Sequence, residues 1–324
     1  MEVIDADRVH ELTDFAGLIA AFETAHRHGM PEKNDRTIYE VPNTDGAADA
    51  LIILPAWQPQ EGILVKLVTS FPNNKARHGT PTVNSTYMFV DGKTGIPQAA
   101  IEGEAMIFKK TSCDSALGSK LLSREDAEEF LIIGAGGLAP YLVKAHLTVR
   151  PNLKRLRVWN RTRANAEAMS EKLATEGIEI AVMDDLDAAV AEADIITSAT
   201  MAPTPHLKGA ILRPGAHVDL VGSFTPQMRE ADDDVLRRAT IFVDHRQTTE
   251  RSGEFLGPLE RGVITMDDVK ADYFELVQGR RSGRQSADEI TMLKNGGGSH
   301  MDYYAAKYLM DRHLGRTFST SCSS

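Results

Sequence analysis

The sequence is short of cysteine, of aromatic residues and of basic charge. Its 324 residues include two cysteines, Cys113 and Cys322, and only 6% aromatic residues. Two cysteines are too few for a disulfide framework, and the sequence has no HExxH or paired CxxC motif to bind a metal. We therefore expect two reduced thiols and no metal site.

The charge balance and the hydrophobic pattern exclude two classes of partner. The formal net charge is −10, so no basic surface is available to neutralise the phosphates of a nucleic acid or an anionic membrane. No run approaches the roughly 18 apolar residues of a membrane-spanning helix, and the N-terminal segment lacks the basic and apolar regions of a signal peptide. We expect a cytoplasmic protein with no nucleic-acid partner and no membrane.

The first third of the chain predicts a helix followed by a sheet. Residues 13–28 place apolar side chains at helical spacing between a Thr-Asp cap and Gly29. Four short β-type runs follow, ALIILPAW, GILVKLVTSF, STYMFVDG and IPQAAIEG, and the turn DGKTG joins the last two as a hairpin. Residues from about 30 to 105 are therefore expected to form an antiparallel sheet.

From residue 125 the pattern changes to strands that alternate with helices. The six strand-like runs are FLIIGAGG, LRVWNRT, IEIAVMD, ADIITSAT, HVDLVGS and TIFVDH. This alternation is typical of a doubly wound α/β fold, in which helices cover both faces of a parallel sheet. A last helix over 302–313 is expected to return to the first domain, with Asp302 as its N-cap; a catalytic role for Asp302 is the alternative. The predicted fold is a Rossmann-type α/β domain over 125–299 plus a discontinuous α+β domain over 1–124 and 300–324.

The segment LIIGAGGLAP carries a phosphate-binding pattern, Gly134-x-Gly136-x-x-Ala139, between a strand and a helix. The glycines allow a tight turn and a close approach of the backbone to a pyrophosphate, and the helix N-terminus supplies the positive end of a dipole. A second strand ends about 26 residues later, as a βαβ unit requires. The sequence therefore predicts dinucleotide binding, with a structural glycine turn as the alternative.

The end of the second strand indicates which dinucleotide is bound. NAD-specific sites usually place Asp or Glu there, whereas this strand ends in VWNRTR. Arg161 and Arg163 can pair with a 2′-phosphate, Thr162 offers a hydroxyl and Asn160 is uncharged. We expect NADPH to be preferred and NADH to be the alternative; otherwise these arginines form a solvated helix face.

The chain resembles the ornithine cyclodeaminase/mu-crystallin family over nearly its whole length. The motifs that carry the resemblance are LPAW, VKLVTSFPNN, VDGKTGIPQAAIEG, KTSCDSALGSKLL, IGAGGLA, VWNRT, RPGAHVDLVGSFTPQMRE and GRQSADEIT. The resemblance implies a dinucleotide-binding domain and a substrate-binding domain whose sheet forms a homodimer interface. It also implies a reaction that reduces or forms a C=N bond at a carbon bearing a carboxylate.

The resemblance implies three cations that bind the substrate carboxylate, at Arg36, Lys66 and Lys110. A small anion needs one or two paired charges in a closed site to orient it. Lys110 departs from the family, which usually has Arg there, so the planar fork is replaced by a point charge. The alternatives are an edge-strand lysine for Lys66 and a solvated side chain for Arg36.

The segment VGSFTP decides between two reactions of the family. Cyclodeaminating members carry an aspartate where this sequence has Phe224, and a phenyl ring cannot exchange a proton. Reduction of a preformed cyclic imine needs less, because Phe224 can pack against ring methylenes and Ser223 or Thr225 can relay a proton. Ser223 is also a plausible loop residue that bonds its own backbone.

The resemblance extends the cofactor site to the ends of later strands, where members line the nicotinamide ribose. The residues expected to contact the cofactor are Gly134, Gly136, Gly137, Leu138, Ala139, Asn160, Arg161, Thr162, Arg163, Ser198, Thr200, Val221 and Gly222.

The sequence thus predicts an NAD(P)H-dependent ketimine reductase with Lys66 and Ser223 as catalytic residues. Its expected substrate is a small anionic cyclic imino acid: Δ1-pyrroline-2-carboxylate, reduced to L-proline, or the six-membered Δ1-piperideine-2-carboxylate, reduced to L-pipecolate. The alternatives are an ornithine cyclodeaminase, an amino-acid or N-alkyl amino-acid dehydrogenase, and a non-catalytic NADPH-binding protein.

Overall fold

A computed structural model describes residues 1–33, 36–42 and 48–320. Cys322 lies outside these ranges. The chain divides into two compact units. The first comprises Met1–Lys110 and the chain from Gly298 onward, and the second comprises Thr111–Gly297.

The described residues of the first unit form a seven-stranded sheet. Its strands are β1 (Glu2–Ile4), β2 (Glu32–Lys33), β3 (Thr37–Val41), β4 (Asp49–Gln58), β5 (Gly62–Ser70), β6 (Val83–Asp91) and β7 (Pro97–Glu102). Their order is β1-β7-β6-β5-β4-β2, and β3 also pairs with β4. Each pair is antiparallel except β1 with β7, so the predicted antiparallel sheet is confirmed with one parallel strand added at its edge.

Four helices precede the second unit or lead into it. They are α1 (Ala6–Leu12), α2 (Phe15–Arg27), α3 (Asn74–His78) and α4 (Gly103–Leu122). The helix α2 begins where Asp14 accepts a hydrogen bond from the Gly17 amide at 2.7 Å. It buries Leu18, Ile19 and Phe22, the apolar side chains that predicted it.

The division between the units falls inside α4, after Lys110, and not at the predicted position after residue 124. The later part of α4 makes its hydrogen bonds within the second unit. The Tyr273 hydroxyl donates to the Asp114 backbone carbonyl at 2.7 Å, and the side-chain amide of Asn295 donates to the Thr111 backbone carbonyl at 3.1 Å. A helix that belongs to two units has no loop to mark the boundary in the sequence.

The second unit contains an eight-stranded parallel sheet. Its strands are β8 (Glu129–Ile133), β9 (Arg155–Trp159), β10 (Ala181–Val182), β11 (Ile195–Ser198), β12 (His217–Leu220), β13 (Thr240–Val243), β14 (Val269–Asp272) and β15 (Thr291–Lys294). The order is β10-β9-β8-β11-β12-β15-β13-β14. The doubly wound prediction is confirmed, and β14 and β15 are additional to the six predicted strands.

Six helices connect these strands. They are α5 (Ala139–Val149), α6 (Arg163–Ala174), α7 (Leu186–Glu192), α8 (Asp233–Arg238), α9 (Gly253–Glu260) and α10 (Tyr273–Val277). Side chains of Asp185, Asp232, Ser252 and Asp272 cap four of them. Apolar side chains such as Leu131, Ile196 and Val218 fill the core of this unit.

The neighbouring strands β8 and β11 mark the point where the strand order reverses, because β9 and β10 follow on one side and β12 on the other. Ligands of doubly wound sheets bind beyond the carboxyl ends of the strands at such a point. Here those ends lead into Gly134 and into the segment from Ser198 to Thr200.

The last helix, α11 (Ser299–His313), belongs to the first unit and packs against α2, β4 and β5. The prediction that it begins with Asp302 as N-cap is wrong, because it begins three residues earlier and its N-cap is Gly298. Asp302 instead lies in the first turn with its side chain buried. A carboxylate that points into the unit cannot cap the helix, and its partners are described below.

Candidate active site

The glycine turn after β8 leaves room for a ligand. Gly134 has φ +106°, a conformation that favours glycine, and a Cβ there would press against the carbonyl of Ala199 after β11. At Gly136 a Cβ would meet no atom within 4 Å, so the backbone faces open space. These two properties fit a dinucleotide pyrophosphate that lies against the turn.

The helix α5 begins at the end of this turn. Gly137 and Leu138 precede it, and the Ala139 amide donates to the Gly136 carbonyl at 3.0 Å. Pro140 lies in the first turn, where its missing N–H costs no helical hydrogen bond. The N-terminus of an 11-residue helix therefore supplies a positive dipole end beside the open backbone.

Asn160, at the end of β9, ties the glycine turn to the second loop of the predicted cofactor site. Its side-chain oxygen accepts from the Ala135 amide at 3.2 Å, and its side-chain nitrogen donates to the Thr162 carbonyl at 2.8 Å. Asn160 thus holds two loops together with a neutral side chain. A carboxylate at this position could not donate the second of these bonds.

The two arginines of VWNRTR have different surroundings. Arg163 pairs with Glu167 at 2.8 Å and also with Asp184. Arg161 is exposed and makes no ion pair with any residue in the described ranges. The structure therefore leaves Arg161 available for an added phosphate and occupies Arg163 with two carboxylates.

A buried glutamate, Glu230, joins the ends of β11 and β12. Its Oε1 accepts from the Ser198 hydroxyl, the Thr200 amide and the Thr200 hydroxyl, each at 2.7 Å. Its Oε2 accepts from the Gly222 amide at 2.7 Å. The hydroxyls of Ser198 and Thr200 are therefore used inside the protein, and a cofactor contact at these residues would use their oxygen lone pairs.

The ionisation of Glu230 is balanced between two opposing effects. Burial raises its pKa to about 7, while the charge of Lys294 and the hydrogen bonds from Ser198 and Thr200 lower it. The buried ammonium of Lys294 donates to three carbonyls: Leu220 at 2.9 Å, Val221 at 3.3 Å and Asn295 at 2.7 Å. Glu230 and Lys294 thus both bind the segment at the end of β12.

The segment VGSFTP follows β12 directly. Val221 and Gly222 are buried, and a Cβ at Gly222 would overlap the Thr200 carbonyl. Ser223 is also buried, with its hydroxyl 3.5 Å from that of Ser252, which donates to the Ser223 carbonyl at 2.7 Å. Phe224 is 52% exposed, so an aromatic ring and not a proton acceptor faces solvent here.

In the first unit, Lys66 lies in the middle of β5 and pairs with Asp302 of α11. Its ammonium lies 3.4 and 3.5 Å from the two carboxylate oxygens and 5.0 Å from the centre of the Tyr87 ring. The Tyr87 hydroxyl donates to Asp302 at 2.8 Å. Lys66 and Tyr87 are register partners on β5 and β6, which brings both side chains to the carboxylate.

The electrostatics at Lys66 indicate an excess of positive charge. Burial lowers the pKa of Lys66, Asp302 raises it, and repulsion from Lys110 lowers it further. Lys110 is itself only 5% exposed, and within the described part of the chain it has no ion pair. The two predicted substrate-binding lysines are thus close enough to repel each other, and in the described ranges one carboxylate, that of Asp302, pairs with Lys66.

Arg36 is exposed and directly precedes β3. The preceding residues, 34–35, lie outside the described ranges. Thr37 pairs with Ile53, and the next residue of β4, Leu54, pairs with Lys66. Continuing this register places Arg36 and Lys66 in one row of the sheet, two strands apart, or about 10 Å between backbones.

Sequence reasoning missed three residues that organise these sites. Tyr87 and Glu230 were not singled out, and Asp302 was assigned to a helix cap. Asp302 and Lys66 are 236 residues apart, so no local pattern joins them. The signal for Glu230 was present, since one acidic residue ends the motif VGSFTPQMRE.

No helix in the described part of the chain is both long and apolar enough to cross a membrane. In the same ranges, no three histidine, cysteine, aspartate or glutamate residues are grouped so that they could hold a metal ion.

Comparison with known proteins places this chain in a family. The family model "Ornithine cyclodeaminase/mu-crystallin family" matches residues 2–317. A Delta(1)-pyrroline-2-carboxylate reductase of Paracoccus denitrificans is 42% identical over 285 residues, which cover 87% of this chain and 88% of that protein. A protein of the same name from Colwellia psychrerythraea is 34% identical and covers 96% of this chain and 99% of its own.

A solved structure is similar over the same length. The Thermococcus litoralis Delta(1)-pyrroline-2-carboxylate reductase in complex with NADH and L-proline has a TM-score of 0.89 and 29% identity, and the match covers 99% of this chain and 100% of that one. The resemblance inferred from the motifs is confirmed. The chain belongs to the ornithine cyclodeaminase/mu-crystallin family.

Proposed function

We propose that the protein is an NAD(P)H-dependent Δ1-pyrroline-2-carboxylate reductase. It adds a hydride to the imine carbon and a proton to the ring nitrogen, and L-proline is the product. Two relatives, 42% and 34% identical, carry the name of this reductase, and a 29% identical structure contains NADH and L-proline.

The observation that carries the proposal is the unbalanced positive charge in the first unit. Lys66 and Lys110 are both largely buried, and Asp302 is the single carboxylate that pairs with Lys66 in the described ranges. A buried cation without a counterion is costly, and a carboxylate ligand removes that cost. We assign both lysines to the substrate carboxylate. Arg36 is a third cation, in the same row of the sheet as Lys66.

The second unit fits a nicotinamide cofactor. The open backbone at Gly136 and the helix α5 suit the pyrophosphate, and Arg161, which has no ion pair among the described residues, suits a 2′-phosphate. A bound nicotinamide cofactor supplies the hydride. NADPH is the proposed preference, because Asn160 lacks the charge that would repel a 2′-phosphate.

The protein groups that act on the substrate follow from its chemistry. The cyclic imine becomes a better hydride acceptor when its nitrogen is protonated. Lys66 and Lys110 are assigned to the negative charge of the substrate carboxylate and not to the ring nitrogen. Burial lowers the pKa of Lys66, which makes its ammonium a stronger acid than an exposed lysine. Ser223 is the second candidate for the proton relay, with a buried hydroxyl whose neighbour is Ser252.

Phe224 favours reduction over cyclodeamination. The half-exposed ring offers an apolar surface to ring methylenes and has no lone pair to accept a proton from ornithine. The buried carboxylate of Glu230 accepts four hydrogen bonds and is not a substitute base.

The proposed assembly is a homodimer that forms through the sheet of the first unit. The strand β3 exposes Ile38, Tyr39 and Val41, which are 50%, 53% and 41% exposed in the single chain. An exposed apolar strand is a surface that a second copy would cover. Light scattering measures the mass in solution, and a monomer would contradict this assignment.

The test is the decay of reduced-nicotinamide absorbance with purified protein. Separate reactions contain Δ1-pyrroline-2-carboxylate, Δ1-piperideine-2-carboxylate, or pyruvate with methylamine, each with NADPH and with NADH. We expect fast oxidation with a cyclic imine only. Ammonia release from ornithine with NAD⁺, or oxidation only with pyruvate and methylamine, would overturn the proposal, and tight NADPH binding without turnover would indicate a binding protein.

A further inference from the structure

The carboxylate of Glu230 is placed to control the shape of the cofactor site without contacting solvent. It is fully buried and accepts four hydrogen bonds, three on Oε1 and one on Oε2. Its donors come from the ends of two adjacent strands, β11 and β12. One side chain therefore sets the spacing and the orientation of both strand ends.

The backbone of Glu230 is held as firmly as its side chain. Its amide donates to Glu254 at 2.5 Å, and its carbonyl accepts from the amides of His206 and Leu207, both at 3.0 Å. These hydrogen bonds fix the backbone of Glu230, and therefore the position from which its carboxylate reaches the two strand ends. Both the backbone and the side chain of Glu230 are thus held by hydrogen bonds.

The ends of β11 and β12, which Glu230 binds, are the segments that we expect to contact the nicotinamide half of the cofactor. Ser198 and Thr200 follow the switch-point strand, and Gly222 has no room for a side chain because Thr200 lies against it. The pyrophosphate and adenine half depends on other elements, the turn at Gly134 and the loop at Asn160. Glu230 makes no hydrogen bond to these elements within the described residues, and it reaches the turn only indirectly, because Ala199 and Thr200 lie against Gly134.

We propose that Glu230 is a positioning residue for hydride transfer, which fixes the ends of β11 and β12 against the nicotinamide half of the cofactor. The inference rests on the proposed function. A small displacement of reacting groups lowers the rate of a chemical step much more than it lowers binding.

The substitution Glu230→Gln tests this role, because it keeps the size of the side chain. A glutamine amide cannot accept from all four donors, and its N–H₂ faces either the Gly222 amide or the Ser198 and Thr200 donors. We expect kcat for the imine to fall roughly 10- to 100-fold. The dissociation constant of 2′-phospho-ADP-ribose, which lacks nicotinamide, should stay within about threefold.

A second readout does not depend on turnover. The fluorescence of reduced nicotinamide in bound NADPH reports on the surroundings of its ring, and its intensity or wavelength should change in Glu230→Gln. If the wild-type protein reduces no imine, the proposed function fails, while this measurement still tests Glu230. Unchanged fluorescence together with unchanged kcat would overturn the inference.

Asp244→Asn is the matched control. Asp244 is another buried carboxylate of the second unit with four donors: the His245 amide, the Thr248 hydroxyl and the amides of Gly296 and Gly297. We expect it to lose thermal stability as Glu230→Gln does but to keep kcat within about threefold. Equal loss of kcat in both variants would mean that any buried carboxylate matters and would overturn a specific role.

If Glu230→Gln does not fold, Thr200→Val provides the test. It removes one hydroxyl donor from Oε1 and keeps the backbone amide bond. A lower kcat with unchanged affinity for 2′-phospho-ADP-ribose supports the inference. Loss of affinity for that fragment without a change in kcat contradicts it.

Discussion

Lys66 in the first unit and Lys294 in the second are both largely buried, and they differ in how many of their N–H donors are used. Lys294, in the second unit, donates to three carbonyl oxygens at 2.7–3.3 Å. Among the described residues, Lys66 in the first unit has one hydrogen-bond acceptor, the carboxylate of Asp302, at 3.4 and 3.5 Å. An ammonium has three donors, so Lys294 has none left, whereas Lys66 can still bind an anion.

The charges around the two lysines also differ in sign. Burial lowers the pKa of each ammonium, but Glu230, Glu254, Asp244 and Asp219 act to raise that of Lys294. At Lys66 one carboxylate acts against burial, and Lys110 adds repulsion. Burial is common to both lysines, so the number of satisfied donors and the local charge are what distinguish Lys294 from Lys66, the proposed substrate-binding lysine.

The largest expected effect is that of Lys66→Met. It removes the charge and keeps an unbranched chain, so kcat/KM for Δ1-pyrroline-2-carboxylate should fall roughly 10²- to 10³-fold, as when one partner of a buried charge pair is lost. Titration of NADPH fluorescence should give an unchanged affinity. The control is Lys75→Met, on the exposed face of α3.

A comparable loss of NADPH affinity in Lys66→Met would indicate disturbed folding and would remove the distinction between the two lysines. Full activity of this variant would assign the substrate carboxylate to Lys110 and Arg36 alone.

The next effect is that of Lys294→Met on stability. Loss of three charge-assisted hydrogen bonds to buried carbonyls should lower the free energy of unfolding by about 2–3 kcal/mol. In a Trp57→Phe background, the fluorescence of Trp159 follows the second unit alone during urea unfolding, because the chain has two tryptophans. An unchanged unfolding midpoint would show that these hydrogen bonds contribute little, and the contrast with Lys66 would fail.

The smallest effect extends the comparison to the arginines of VWNRTR. Arg161→Ala should raise KM for NADPH about tenfold and leave KM for NADH nearly unchanged, since a charge-assisted contact to the 2′-phosphate is lost. Arg163→Ala should change both constants less than about threefold, because Glu167 and Asp184 already pair with Arg163. Steady-state kinetics with both cofactors measure this ratio, and equal effects of the two substitutions would contradict it.

The sequence predicted the parts of the structure that local patterns encode. The glycine turn, the strands beside it and the hairpin between β6 and β7 depend on neighbouring residues, and each was found. The strands β14 and β15 were missed because half of the residues of VKAD and TMLK are polar or charged, so neither shows the apolar run expected of a buried strand.

The site residues divide in the same way. Lys66 was identified through the family resemblance, and Arg161 because it follows a strand end that lacks the acid usual in NAD-specific sites. The positions of Asp302 and Tyr87 beside Lys66 result from the packing of α11 and from the pairing of β5 with β6. These are long-range contacts that one sequence does not reveal. Periodicity correctly predicted a helix there, but not which carboxylate points inward.

The position of Asp302 in α11 also constrains the order in which the two units can form during synthesis. The second unit is one continuous stretch, Thr111–Gly297, and its whole sequence has been synthesised before α11 exists. The first unit begins earlier in the chain but lacks Asp302 until the segment after Gly297 is translated. Domains usually fold from the N-terminus during synthesis. The second unit is therefore the first whose whole sequence is available, and Lys66 gains its carboxylate partner only after that unit has been synthesised.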